Sequence, residues 1–167
     1  AVEIKVDGED IHTDAREVIV NSDIVVLNTP AAYLKAAMTN VSAEDLSGKI
    51  IVSAIKGIIP DENLAIGDYL VEYFKVIPSN IVVVGGPCHA EEVAQEKLSY
   101  LTFGCSDLHI AQDTADLFAS HYIKTILSTD TMGIEYCAIL KNIYALAGGM
   151  CHGLGYGDNF QAVLVSN

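Results

Sequence analysis

Two lysines occupy positions where an ammonium group could take part in chemistry. Lys141, followed by Asn142, lies in the apolar stretch Gly133–Gly149, which carries one other charged residue, Glu135. Burying a lysine in such a helix costs several kcal/mol unless something compensates the charge. On a helical wheel, small residues lie near the lysine face and leave room for a ligand or another backbone: Ala138, Ala145, Gly148 and Gly149. The alternative is a core helix whose lysine reaches water along its own stem.

The second lysine, Lys56, follows the apolar run Lys49–Ile55 and precedes Gly57. Two further apolar runs also end in distinctive residues, Asn28–Pro30 and Gly85–Pro87. Ligands of open α/β sheets bind beyond the carboxyl ends of the strands. We therefore expect Lys56 and Lys141 to converge there, with Gly86 and Asn142 beside them. Taken singly, Lys56 could be a surface lysine and the glycines a plain turn.

Short apolar runs alternate with helical segments along the chain, which indicates an α/β fold of mostly parallel, Rossmann-like β-α-β units. The first strand is predicted to be buried on both faces, and Gly133–Gly149 to be a helix buried all round. The other expected strands and helices are Val2–Val6 as a short edge strand or hairpin, strands at Asp23–Asn28, Lys49–Ile55, Ile81–Val84, Tyr100–Cys105 and Ile123–Leu127, and helices at Thr13–Asn21, Ala31–Met38, Asp61–Phe74, His89–Glu96 and Leu108–Ser120.

The composition is that of a folded protein, with 51% hydrophobic and 19% charged residues among 167. A net charge of −13 argues against nucleic acid or an anionic membrane as the main partner. No apolar run is long enough to cross a bilayer. The four cysteines and five histidines have no metal-ligand spacing, so we expect reduced thiols, no metal site and a cytoplasmic location.

The sequence contains no G-x-G-x-x-G turn, because the glycines at 153, 155 and 157 have the wrong spacing and follow a helix. The first β-α-β unit of a dinucleotide-binding sheet would therefore lie upstream of Ala1. We expect an interior fragment of a longer protein that is not catalytic by itself.

Four segments closely resemble the NAD(P)-dependent glycerol-3-phosphate dehydrogenases. In chain order they are Ser53–Ile58 (SAIKGI), Gly85–Val93 (GGPCHAEEV), Gly133–Ile143 (GIEYCAILKNI) and Gly153–Asn159 (GLGYGDN). The resemblance runs from about Val18 to the end. It implies that residues 1–128 are the later part of the NAD(P)-binding domain and that residues 129–167 begin an all-helical substrate domain.

The resemblance also implies site residues and an activity. Lys141, Lys56 and Asn142 are expected to be catalytic. Dihydroxyacetone phosphate or glycerol 3-phosphate would be bound by Lys56, Gly86, Cys88 and Lys141, and NAD or NADP by Pro30, Tyr33, Lys56 and Ala90. The reaction would be the reversible reduction of dihydroxyacetone phosphate, feeding glycerophospholipid synthesis, in a homodimer when full length.

Position 88 is Cys and position 89 is His, where many bacterial members have a hydroxyl and an aromatic residue. A thiol is a weaker hydrogen-bonding partner for the substrate. The rival interpretations are a 3-hydroxyacid, 6-phosphogluconate or ketopantoate type of dehydrogenase, against which the GLGYGDN segment argues, and a non-catalytic protein of the same fold. Retention of Lys56, Lys141 and Asn142 argues against the latter.

Overall fold

A computed structural model describes residues 6–166, apart from the side chain of Val165. Within that range the chain forms seven strands and seven α-helices. The strands are β1 (Ile24–Leu27), β2 (Ile50–Ser53), β3 (Ile58–Ile59), β4 (Leu64–Ala65), β5 (Ile81–Gly85), β6 (Ser99–Gly104) and β7 (Ile123–Ser128). The helices are α1 (Ala15–Val20), α2 (Ala31–Ala37), α3 (Ile66–Phe74), α4 (Ala90–Val93), α5 (Leu108–Phe118), α6 (Thr131–Gly153) and α7 (Asp158–Ser166). Single 3₁₀ turns lie at Gly8–Asp10 and Pro78–Asn80.

Five strands form one mixed sheet in the order β1-β2-β5-β6-β7. Strands β1, β2 and β5 are parallel, as are β6 and β7, but β6 runs antiparallel to β5. The carboxyl ends of β2 and β5 therefore point to the same side of the sheet, and Ser128, the last residue of β7, lies level with Ser53, the last residue of β2. Helix α6 begins there and crosses the sheet towards Lys56.

Apolar side chains cover both faces of the sheet. One cluster joins the sheet to α1, α2 and α3, and Ile134 of α6 packs against it. On the other face, Val52, Val82 and Phe103 pack with the alanines of α5. The α/β, mostly parallel, Rossmann-like fold predicted from the sequence is confirmed.

Most predicted elements are present with bounds that differ by a few residues, but four expectations were wrong. The helix predicted at Asp61–Phe74 begins only at Ile66, after the small β3–β4 hairpin. Strand β1 is an edge strand of the described sheet, and its Val26 is 49% exposed rather than buried. Strand β6 is antiparallel to its neighbour. The edge strand or hairpin expected at Val2–Val6 falls outside the described residues except for Val6, which is exposed.

The fourth correction concerns α6, which was expected to be buried all round. Among its described residues only Glu135 is buried, and the helix has its main contacts with β5, β6 and α7. Its remaining length exposes a row of large apolar side chains, which includes Tyr136, Ile143, Leu146, Met150 and Leu154.

Candidate active site

A cleft of about 680 Å³ opens at the carboxyl ends of β2 and β5, where α6 passes over the sheet. Lys56 enters it from the loop after β2, and Gly86, Cys88 and His89 from the loop after β5. Lys141 enters it from α6. The two lysines therefore lie on the same cleft with Gly86, although they come from distant parts of the chain.

The wall contributed by α6 follows helical spacing. Ile134, Cys137, Ala138 and Lys141 line the cleft, and residues three and four apart lie on one face of a helix. Ala138 is the small residue expected beside the lysine. The other small residues expected on that face, at 145, 148 and 149, lie beyond the cleft.

Neither cleft lysine is neutralised by a carboxylate within the described part of the chain. The ion pairs found there join other residues, for example Lys35 Nζ to Glu62 Oε1 at 2.6 Å. Asp130 also lines the cleft, but its Oδ1 accepts the backbone N–H of Gly133 at 2.8 Å and so caps α6. Two cationic groups without acidic partners make the cleft suitable for an anionic ligand.

Two glycines shape the loops that carry the cleft residues. Gly86 has φ +130°, and a Cβ there would lie 2.4 Å from the carbonyl oxygen of Tyr100. Gly57 has φ +145°, and a Cβ there would lie 3.0 Å from Cβ of Ala31. The close approach that Gly57 permits is thus between the Lys56 loop and the first turn of α2.

Helix α6 is fixed to the sheet mainly through its first two turns. Ile134 fits between two strands at positions without side chains, because a Cβ on Gly85 would lie 2.8 Å from its Cγ2 and a Cβ on Gly104 would lie 2.5 Å from its Cδ1. The next residue, Glu135, accepts the backbone N–H of Gly67 through Oε1 at 3.0 Å. Burial raises the pKa of Glu135, and the nearby charge of Asp68 adds to the rise, against the opposing effects of hydrogen bonds from the backbone N–H groups of Gly67 and Ile66.

Some residues predicted for the site do not line this cleft. Pro30 precedes α2, Tyr33 is 66% exposed on α2, and Ala90 begins α4 beyond His89. Asn142 is exposed on α6 and is not among the residues that line the cleft. Its place beside the two lysines stays a prediction.

The cleft also has lining residues that the sequence interpretation did not include. These are Thr102, Ser128, Asp130, His89, Ile134 and Cys137. The spacing of Ile134 and Cys137 before Lys141 was a usable helical signal. Thr102 and Ser128 lie on neighbouring strands that the tertiary fold brings to the cleft, so no local pattern indicated them.

Within residues 6–166 no helix is long and apolar enough to cross a membrane. In the same range no three His, Cys, Asp or Glu side chains are grouped so that they could hold a metal ion.

Two family models match most of this chain. Residues 8–111 match the family model described as NAD-dependent glycerol-3-phosphate dehydrogenase N-terminus. Residues 130–167 match the model for the C-terminus of the same dehydrogenase. The chain belongs to the NAD-dependent glycerol-3-phosphate dehydrogenase family.

Curated members of the family extend well beyond this chain. A glycerol-3-phosphate dehydrogenase [NAD(P)+] of Streptococcus pneumoniae is 36% identical over 157 residues, which cover 93% of this chain and 46% of that protein. A second one, from Lactobacillus delbrueckii subsp. bulgaricus, is 36% identical over 149 residues, which cover 87% of this chain and 44% of that protein. The chain thus spans about half the length of the curated relatives that it matches.

Solved structures of the family share the fold. The glycerol-3-phosphate dehydrogenase of Plasmodium falciparum superimposes with a TM-score of 0.81 at 28% identity, covering 91% of this chain and 43% of that one. That of Saccharomyces cerevisiae gives a TM-score of 0.78 at 25% identity, covering 92% of this chain and 46% of that one.

Proposed function

We propose that this chain is part of an enzyme that reversibly reduces dihydroxyacetone phosphate to sn-glycerol 3-phosphate with NAD(P)H. The observation that carries the proposal is the convergence of Lys56 and Lys141 on one cleft, without acidic partners among the described residues. The proposal includes a cytoplasmic homodimer whose product feeds glycerophospholipid synthesis.

The chemistry of carbonyl reduction explains why two lysines are needed. Negative charge develops on the carbonyl oxygen as its carbon is reduced. In the proposed roles, Lys141 Nζ donates a proton to that oxygen, and the ammonium group of Lys56 stabilises the developing charge. Gly86 and Cys88, on the same cleft, hold the substrate through the loop after β5, and the neighbouring Asn142 is assigned a supporting role next to Lys141.

The residues present fit the nicotinamide end of NAD or NADP. The loop with Lys56 packs on the first turn of α2, through the contact between Gly57 and Ala31. The carboxyl ends of β1 and β2 are adjacent because the two strands pair in parallel, and Pro30 and Tyr33 lie at the start of α2, beyond the end of β1. When bound, the reduced nicotinamide supplies the hydride. We assign Lys56, Pro30, Tyr33 and Ala90 to holding that end; the sequence has no glycine-rich turn for the pyrophosphate.

The domain boundary is part of the same proposal. Residues 1–128, up to the end of β7, are assigned to the nucleotide-binding domain, and residues 129–167, with α6 and α7, to the start of a helical substrate domain. In this arrangement α6 carries a catalytic lysine from the second domain onto the sheet of the first.

Steady-state kinetics on the full-length protein test the proposal. Lys141→Ala should lower kcat by about 10²- to 10⁴-fold, because it removes a proton donor and a positive charge at the reacting oxygen. The affinity for NADH, measured separately by fluorescence titration, should change little. Lys56→Ala should weaken cofactor and substrate binding together.

The matched control is Lys124→Ala, which removes an exposed lysine from β7, away from the cleft. It should behave like the wild type. Near-normal turnover of Lys141→Ala would make that lysine structural and would overturn the assignment.

A further inference from the structure

Glu135 is a buried carboxyl on α6 that the proposed reaction does not use. Its side chain is enclosed, with 9% of the residue exposed. Its Oε1 accepts the N–H of Gly67, which lies 68 residues away in the sequence. Gly67 belongs to the first turn of α3, where backbone N–H groups have no partner within the helix. The bond therefore joins α6 to the start of another helix.

The position of this bond along α6 matters for the cleft. Lys141 follows Glu135 by six residues, which is about 9 Å along the helix axis. Glu135 is the only buried residue among those described in α6. The contacts that hold α6 on the sheet before Lys141 are those of the first turns, namely the Asp130 cap, Ile134 and Glu135.

We propose that Glu135 is a positioning residue for Lys141. The hydrogen bond that it accepts from the Gly67 amide fixes the orientation of α6 on the sheet and thereby the position of the Lys141 ammonium group in the cleft. The inference rests on the proposed function for the role of Lys141. It assigns Glu135 no contact with substrate or cofactor, because Glu135 is absent from the cleft wall.

The nature of the bond predicts which substitution is tolerated. The Gly67 amide needs an oxygen acceptor, which a carboxylate, a carboxylic acid and a carboxamide all provide. Asp68, in the first turn of α3, is the charged group beside Glu135. As a carboxylate its side chain accepts hydrogen bonds and does not replace the Gly67 N–H as a donor to Glu135. Glutamine at position 135 should therefore keep an oxygen acceptor for the Gly67 N–H, whereas alanine should not.

The first test compares Glu135→Ala with Glu135→Gln in the full-length enzyme. We expect alanine to lower kcat by about 10- to 100-fold, the scale expected when a catalytic group is displaced by about 1 Å. The Kd for NADH should stay unchanged, because Lys56, Pro30 and Tyr33 do not lie on α6. Glutamine should restore most of the activity. Glu72→Ala, at an exposed position of α3, is the control for removal of a carboxylate.

The second test approaches the same bond from α3. A Cβ on Gly67 would lie 3.2 Å from Oε2 of Glu135, so Gly67→Ala should crowd the carboxyl group and also lower kcat. If it acts through Glu135, it should have no further effect in the Glu135→Ala background. Additive losses in the double mutant would overturn the proposal.

A readout that needs no turnover separates this inference from the proposed function. The rates at which acetic anhydride labels Lys141 and Lys56 can be measured by mass spectrometry in the same variants. Glu135→Ala should change the labelling rate of Lys141 and leave that of Lys56 unaltered. A wild-type protein that does not oxidise NADH with dihydroxyacetone phosphate would refute the proposed function, while the labelling rates would still test Glu135.

Three outcomes would refute the positioning role. The first is a Glu135→Ala variant with wild-type kcat and wild-type labelling. The second is a Glu135→Gln variant as defective as the alanine variant. The third is a loss of kcat that merely follows the folded fraction, seen by circular dichroism, with NADH affinity falling in parallel.

Discussion

Gly86 is a residue at which the backbone of the cleft is tightly constrained. Its φ of +130° is rarely adopted by other residues, and a Cβ would approach the Tyr100 carbonyl oxygen to 2.4 Å. Gly86→Ala should therefore displace the loop after β5 and destabilise the fold by about 1–3 kcal/mol. Urea unfolding followed by circular dichroism measures this change.

Gly149→Ala is the matched control for that substitution. A Cβ on Gly149 would meet nothing within 4 Å, and the residue lies in an exposed part of α6. Alanine there should stabilise the helix by about 0.5–1 kcal/mol. Equal effects of the two substitutions would show that the Gly86 loop is not constrained as described.

At this scale the sequence indicated some cleft residues and missed others. Lys56 was indicated by its place at a strand end, and Lys141 by its apolar surroundings. Asn142 is adjacent to Lys141 in the sequence but is not among the residues that line the cleft. The role of Glu135 depends on a partner 68 residues away, which no local pattern can identify.

At the scale of elements, α6 packs closely on the sheet because Ile134 lies against two glycines, Gly85 and Gly104. A Cβ on Gly104 would lie 2.5 Å from Cδ1 of Ile134, so Gly104→Ala should destabilise the fold, and Ile134→Val, which removes Cδ1, should relieve that effect. The same valine should not rescue Gly85→Ala, because the conflict there, at 2.8 Å, is with Cγ2. Urea unfolding of the single and double mutants checks both expectations.

The link between α1 and the segment after α2 should depend on pH. Hydrogen bonds from Arg16 and from the Ser42 backbone lower the pKa of Asp45 from 3.8 to about 2, and Arg16 Nε lies 2.9 Å from Asp45 Oδ2. Because the folded-state pKa is lowered, the stabilisation is present above pH 3.8 and is lost as the pH falls through about 2.

Asp45→Asn should therefore be less stable than the wild type at neutral pH, and the difference should shrink towards pH 2. Urea titrations across that range measure it. Asp113→Asn, at an exposed position of α5, is the control and should show no such convergence. A difference that stays constant with pH would contradict the ionic origin.

The sequence predicted elements best where a pattern was long or continuous. Strands β2 and β5 and helix α5 were indicated by buried apolar runs or by helical periodicity. The β3–β4 hairpin was missed because strands of two residues carry no periodicity. The reversed direction of β6 was missed because an apolar strand has the same pattern in either direction.

At the scale of the whole molecule, α6 exposes large apolar side chains that no described element covers. Leu146 is 61% and Leu154 is 77% exposed, and contiguous apolar surface of this kind favours association. The 167-residue chain on its own should therefore self-associate with rising concentration in sedimentation velocity. Replacing Ile143 and Leu146 by lysine should suppress this, whereas Leu117→Lys, at an isolated exposed position of α5, should not.

The anchoring of α6 near one end also has a mechanical consequence. Treated as a rigid rod held at Ile134 and Glu135, the helix would act as a lever whose arm carries Lys141. The lysine lies seven residues beyond Ile134, an arm of about 10 Å, so a tilt of about 6° moves it by about 1 Å. A displacement of that size is enough to change a reaction rate about 100-fold. A small rotation at the pivot could thus switch the cleft between reactive and unreactive geometry while the sheet stays still.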